Sequence, residues 1–124
     1  MRPYFVGALI LIAVVACTQA TGPGDGAVSV RAIGHEVQLT NHSTEQLFSF
    51  VIDRQAAAYT DWGPCGDPTR CGGIAPGAVR GVPYNAIVGY TLTSREAIVY
   101  WWRMVPDGAT GFRADSIRGI VVSL

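Results

Sequence analysis

From Val28 to Leu124 the apolar residues recur at a spacing of two, in short runs divided by Gly, Pro, Asn and Asp. An amphipathic helix repeats its apolar face every three to four residues, so this pattern points to pleated strands instead. Val28 and Val30 alternate with Ser29 and Arg31; Val37 and Leu39 alternate with Glu36, Gln38 and Thr40. Both segments read as half-buried, antiparallel strands with Gly34 between them. Asn41 to Thr44 is a polar turn cluster. Gln46 to Asp53 puts Phe48, Phe50 and Ile52 on one face and Leu47 and Val51 on the other, which predicts a strand covered on both sides.

The second half follows the same logic. Gln55 to Trp62 fits either a helical turn over its alanines or extended chain, and Gly63 to Gly77 reads as a long loop. Ala78 to Tyr84, Ala86 to Thr93 and Ala97 to Val105 read as three more strands. Pro106-Asp107-Gly108 is a turn signal, and Ser116 to Leu124 closes as a last strand. About seven short strands over 27–124 predict an all-β fold: an immunoglobulin-like antiparallel sandwich first, a small β-barrel second.

The first 26 residues have a different character. Arg2 is followed by an uncharged, largely apolar run from Tyr4 to Ala16, the length of a signal peptide and shorter than the roughly 20 residues of a membrane span. Val14-Val15-Ala16-Cys17 at its end resembles the bacterial lipobox. That resemblance implies a signal peptide over 1–16, cleavage after Ala16, and a covalent lipid on Cys17 as the membrane anchor. Several acyl chains, at ~0.8 kcal/mol per buried methylene, exceed what stable anchoring takes. Residues 17–26, rich in Gly, Pro, Thr and Ala, then read as a flexible tether. The lipoprotein resemblance further implies a cell-envelope location. Thr18 in place of the Asp that signals inner-membrane retention favours the periplasmic face of the outer membrane where the host has two membranes.

Nine cations, all of them Arg, balance nine carboxylates, so no basic footprint for nucleic acid exists. With Cys17 committed to lipid, Cys65 and Cys71 form an even pair in an oxidising compartment and are expected to be disulfide-bonded. Five intervening residues do not suit thioredoxin-type chemistry. Zinc would need two more ligands than the cysteines supply, and neither His35 nor His42 has motif spacing to them. No catalytic signature, phosphate loop or cofactor motif is present, so a non-catalytic binding or assembly module without cofactor or metal is expected. Asn41-His42-Ser43 matches a glycosylation sequon, which a bacterial lipoprotein normally does not use.

Two features remain as partner contacts. Arg70 stands in the ring that Cys65 and Cys71 would close, where it could be offered to a trypsin-like protease; that makes a protease inhibitor the alternative function. In Ile98 to Val105, Ile98, Tyr100, Trp102 and Met104 share one face, and Val99, Trp101, Arg103 and Val105 the other. The charge on the second face assigns Trp102 to the core. Trp101, with Arg103, becomes a surface contact for an envelope protein or glycan. Finally, Asn41-x-Ser43 with Leu47, Phe48 and Phe50, then Ala75-Pro76-Gly77 before a strand, resembles bacterial Ig-like accessory domains. Over roughly residues 37–92 the chain is also similar to the bacterial intracellular proteinase inhibitors of that fold.

Overall fold

A computed structural model describes residues 26–124. The leader, the lipobox with Cys17, and all of the tether but Gly26 lie outside the described residues. Among the described residues there are seven strands: β1 Val28–Ile33, β2 Glu36–Asn41, β3 Leu47–Asp53, β4 Gly73–Ile74, β5 Val79–Pro83, β6 Glu96–Asp107 and β7 Gly111–Ser123. A single short helical turn, α1 (Arg54–Ala57), follows β3, and a 3₁₀ turn, Tyr84–Ala86, follows β5. The strands form two antiparallel sheets, ordered β1-β2-β5 and β4-β3-β6-β7. The sheets do not close into a barrel. This is the immunoglobulin-like sandwich, in the form where the fourth strand joins the third instead of extending the 1-2-5 sheet.

Local chemistry explains the pairing. β1 and β2 are joined by Gly34-His35, both at φ 60, the left-handed pair that a two-residue hairpin requires. Asp53 caps α1, accepting a hydrogen bond from the Ala56 N–H at 2.9 Å. In the β6–β7 ladder Trp101 pairs with Arg118 and Arg103 with Asp115, so Ser116 and Ile117 together oppose Trp102. Ser116 takes up this bulge in the left-handed region, at φ 55.

Asn41, only 1% exposed, ties one end of the sandwich together. Its side-chain N–H groups donate to the carbonyls of Glu45 at 2.7 Å and Ile74 at 2.9 Å, and its oxygen accepts from the Ser43 N–H and hydroxyl. Its backbone bonds Ala78 and Gly77. Every polar atom of the residue is thus used, and its amide is committed inside the fold.

Three expectations are corrected. Ala86–Thr93 is not a strand: only Val88 bridges, in parallel, to Ile52 on the edge of β3. Gly89 then turns the chain at φ 73 so close to α1 that a Cβ there would lie 2.4 Å from the Ala56 methyl. The place of a seventh strand is taken by β4, two residues inside the expected loop, which pair with Leu47 and Phe48. The last strand also starts earlier, at Gly111, and Pro106 and Asp107 belong to the ladder, with the turn falling at Gly108–Thr110.

The third correction concerns the tryptophans. Trp101 is 4% exposed and packs between the sheets with Val51, Val99, Leu39 and Val30. Trp102 faces outward from the four-stranded sheet, yet is buried too. Trp62 lies over that face, stacked on Phe50 at 4.7 Å and tilted against Tyr100 at 4.5 Å and Trp102 at 6.3 Å. The charge on Arg103 misled the assignment because β6 overshoots the sandwich. Arg103 sits at the rim of the core, so its face is polar only there.

Truncating Trp101 to Ala should therefore remove core volume and lower stability by about 3–5 kcal/mol. Trp101→Ala should melt no later than Trp102→Ala. Asn41→Ala leaves several buried groups without partners, at about 1–3 kcal/mol each. Urea unfolding should show its midpoint falling accordingly, with the slope unchanged.

Candidate functional site

A cleft of about 350 Å³ lies where β1 turns into β2 and β5 turns into the 3₁₀ turn; His35, Pro83, Tyr84, Asn85 and Tyr90 line it. The backbone fixes these side chains. The Tyr84 N–H donates to the His35 carbonyl at 2.9 Å, the Ile87 N–H to the Tyr84 carbonyl at 3.1 Å, and the Tyr90 N–H to the Ile87 carbonyl at 3.1 Å. Ile87 is buried, and both tyrosine rings lean on the core around it. The His35 ring meets Tyr84 edge-on at 5.7 Å, and Tyr84 and Tyr90 stand 5.7 Å apart at 45°.

The polar ends of this lining are unengaged. The Tyr84 and Tyr90 hydroxyls, the Asn85 amide and the His35 ring nitrogens hold no hydrogen-bond partner among the described residues. No Asp, Glu, Lys or Arg side chain lines the cleft. It therefore combines aromatic faces with four polar side chains that can hydrogen-bond a ligand. A few placed polar groups on an apolar, preformed concavity is the usual form of a binding site.

Location matters as much as lining. The chain enters at the Asn41 end, where Ala27 accepts from the His42 N–H at 2.8 Å. The cleft lies past the other end of β1, six residues away, or about 20 Å at ~3.3 Å per residue. The next turn beyond it, Thr91 to Ser94, is held by its own hydroxyls and leaves Leu92 96% exposed at the tip.

The residues singled out from the sequence fall elsewhere and do not converge. Trp101 is inside the core and offers nothing to a partner. Arg103 binds within the chain: its Nε donates to Asp115 at 3.0 Å and its NH1 reaches Glu45 at 3.4 Å. Those two carboxylates raise its pKa above the usual arginine value, and Arg103 in turn holds the Asp115 carboxyl below its own. Cys65 and Cys71 are disulfide-bonded, with Cα atoms 6.1 Å apart. Arg70 stands on that ring with its side chain 85% exposed. Its N–H is tied to the Asp67 carbonyl at 3.1 Å, in a turn and not an extended strand. Hydrogen bonds from the Thr69 hydroxyl and N–H lower the Asp67 pKa.

His42 Nε2 lies 2.8 Å from the Ser29 hydroxyl on the exposed face of the three-stranded sheet. A serine nucleophile also needs its base oriented by a third group. Among the described residues no carboxylate bonds His42, and no group of three or more His, Cys, Asp or Glu could hold a metal ion. The cleft tyrosines were passed over in the sequence because they were placed inside, or at the end of, expected strands. The signal was Pro83-Tyr84-Asn85 and Gly89-Tyr90: aromatics beside turn formers, where a ring has no sheet face to cover.

Compared with protein-family models, curated proteins and solved structures, the chain finds no match. The fold and the cleft define a small Ig-like β-sandwich with an aromatic cleft at one end.

Near the same end, Asp53 is buried, and that desolvation would raise its pKa. Hydrogen bonds from the Ala56 N–H, the Ser94 hydroxyl and the Gln55 N–H outweigh it and hold the pKa low. A depressed carboxyl contributes stability above its unfolded pKa of about 4, and loses it as pH falls toward the folded value. Asp53→Asn should be less stable than the native protein at pH 7, with the gap closing toward pH 3 in thermal unfolding. Replacing Cys65 and Cys71 together by Ser should destabilise by less than the ~3 kcal/mol of a 15-residue loop, because this ring is shorter. Circular dichroism should show the strands intact.

Proposed function

We propose that this protein is a lipid-anchored envelope lipoprotein whose sandwich is a non-catalytic binding module, held by Cys17 and presenting the His35–Tyr84–Tyr90 cleft. The observation that carries this reading is the opposition of chain entry and cleft. An anchor at Cys17 followed by a tether leads into the Asn41 end, so the cleft faces away from the membrane. The lipobox Val14-Val15-Ala16-Cys17 supports export and anchoring, and the disulfide is compatible with an oxidising compartment. Thr18 after the lipid site favours the periplasmic face of an outer membrane in a two-membrane host. The membrane is then met through the lipid, and the partner through the distal cleft.

Two measurements test the two halves. Cys17→Ser should stay unprocessed at Ala16 and be recovered as an unlipidated precursor of altered mass; a mature protein of unchanged mass would refute the anchor. A photo-crosslinking side chain at position 85 should give envelope adducts in cells, whereas one at position 109, in the turn at the opposite end, should not. Equal labelling from both positions would refute a distal binding face.

A further inference from the structure

We infer that the ligand of the His35–Tyr84–Tyr90 cleft is an uncharged saccharide, an inference that rests on the binding-module reading above. Charge comes first. None of the five lining residues is an Asp, Glu, Lys or Arg, so the cleft holds no permanent charge to pair with an ionic ligand. A charged group buried against it would lose hydration without compensation.

The faces come second. A tyrosine ring is negative over its plane and positive at its edge. The axial C–H bonds of a pyranose offer a broad, weakly positive, apolar patch that complements such a plane. Tyr84 and Tyr90, 5.7 Å apart and inclined at 45°, form two such planes meeting at an angle. His35 meets Tyr84 edge-on at 5.7 Å. The rings are placed before any ligand arrives: backbone hydrogen bonds link His35 to Tyr84, Tyr84 to Ile87 and Ile87 to Tyr90, and both tyrosines pack against the core. Such preorganisation lowers the ordering cost of a weak, multi-contact ligand.

Hydrogen-bond polarity decides between a sugar and the other common guest of tyrosine-lined clefts, a polyproline segment. A proline-rich strand has carbonyl acceptors and few N–H donors. It would satisfy the donors of the cleft and leave the Asn85 oxygen and an imidazole nitrogen without partners. A sugar hydroxyl both donates and accepts, as do the Tyr84 and Tyr90 hydroxyls and the Asn85 amide, and the His35 ring nitrogens offer a further contact. None of these groups is used within the described chain. Asn41 makes the contrast plain: there the fold consumes every polar atom, whereas at the cleft it consumes none of the side-chain ones.

The test uses the full lipidated chain in detergent micelles and saturation-transfer NMR. The probes are chitotetraose, cellotetraose, maltotetraose and mannotetraose, with tetragalacturonate and decaproline as charged and polyproline comparators. At least one neutral tetrasaccharide should bind, with its ring C–H protons receiving the transfer. Asn85→Ala combined with Tyr90→Phe should weaken that binding about tenfold or more without moving the melting temperature. This pair removes only solvent-facing polar groups, so it keeps the test valid if Tyr84→Ala, which cuts into the packing, fails to fold. Failure of all four neutral probes overturns the inference, as does a preference for decaproline or tetragalacturonate, or binding that ignores the double variant. Crosslinking from position 85 separates the two readings. Adducts there without saccharide binding sink the sugar and leave the module, while loss of both sinks the module as well.

Discussion

The central pair of strands, β3 and β6, has no polar face, and the rest of the structure follows from that constraint. Each lies between neighbours in the four-stranded sheet, with one side turned to the opposing sheet. Leu47, Val51, Val99 and Trp101 meet Val30 and Leu39 across the sandwich. Phe48, Phe50, Ile52, Tyr100 and Trp102 are left on the outside, an apolar sheet face too large to leave to water. The chain covers it with Trp62. The long irregular segment between α1 and β4, which also carries the Cys65–Cys71 ring, therefore supplies a second layer through Trp62. The ring also approaches the β6–β7 hairpin at Gly66, beside the Phe112 carbonyl.

The two ends of the sandwich use polar chemistry in opposite ways. At the entry end Asn41 joins the end of β2, the Ser43–Glu45 turn and β4 through a buried network in which every donor and acceptor is paired. Arg103 adds a rim of charge there, bridging Asp115 on β7 to Glu45 in the turn. A fully satisfied network of this kind rigidifies the fold. At the far end the backbone of the turns is also paired, but the polar groups of His35, Tyr84, Asn85 and Tyr90 hold no partner among the described residues. Rigid backbone with uncommitted side chains is what recognition asks of a loop. His35 illustrates this: it holds a left-handed position that glycine would occupy with less strain, and brings an imidazole to the cleft.

How much of this was legible beforehand depends on the range of the interaction. Alternation in Val28–Arg31, Val37–Thr40 and Leu47–Ile52, with the intervening turn formers, was sufficient for an all-β sandwich of about seven strands. The two-sided cover of β3 was likewise written in its own residues, and the cysteine parity pointed to the disulfide. These are properties of neighbouring residues, and period two reports them directly. The Ala86–Thr93 segment defeated the same reasoning because its composition suits a strand. Gly89 was its one local turn signal, and the close approach of Gly89 to Ala56 shows why the chain turns there.

The tryptophans mark the boundary most clearly. Alternation alone established that Trp101 and Trp102 face opposite ways, because adjacent strand residues must. Which of them looks into the sandwich depended on where β6 runs past the end of the opposing sheet, and on Trp62 returning from forty residues away to roof the other face. Neither fact is local. The cleft is of the same kind: His35 and Tyr84 are far apart in sequence and meet only because β2 pairs with β5, Glu36 opposite Pro83. The sequence by itself determined the all-β class, most of the strands and the disulfide partners. The tertiary structure alone decided which apolar faces are inside and which aromatic rings share a site, because both depend on contacts between segments that no local period encodes.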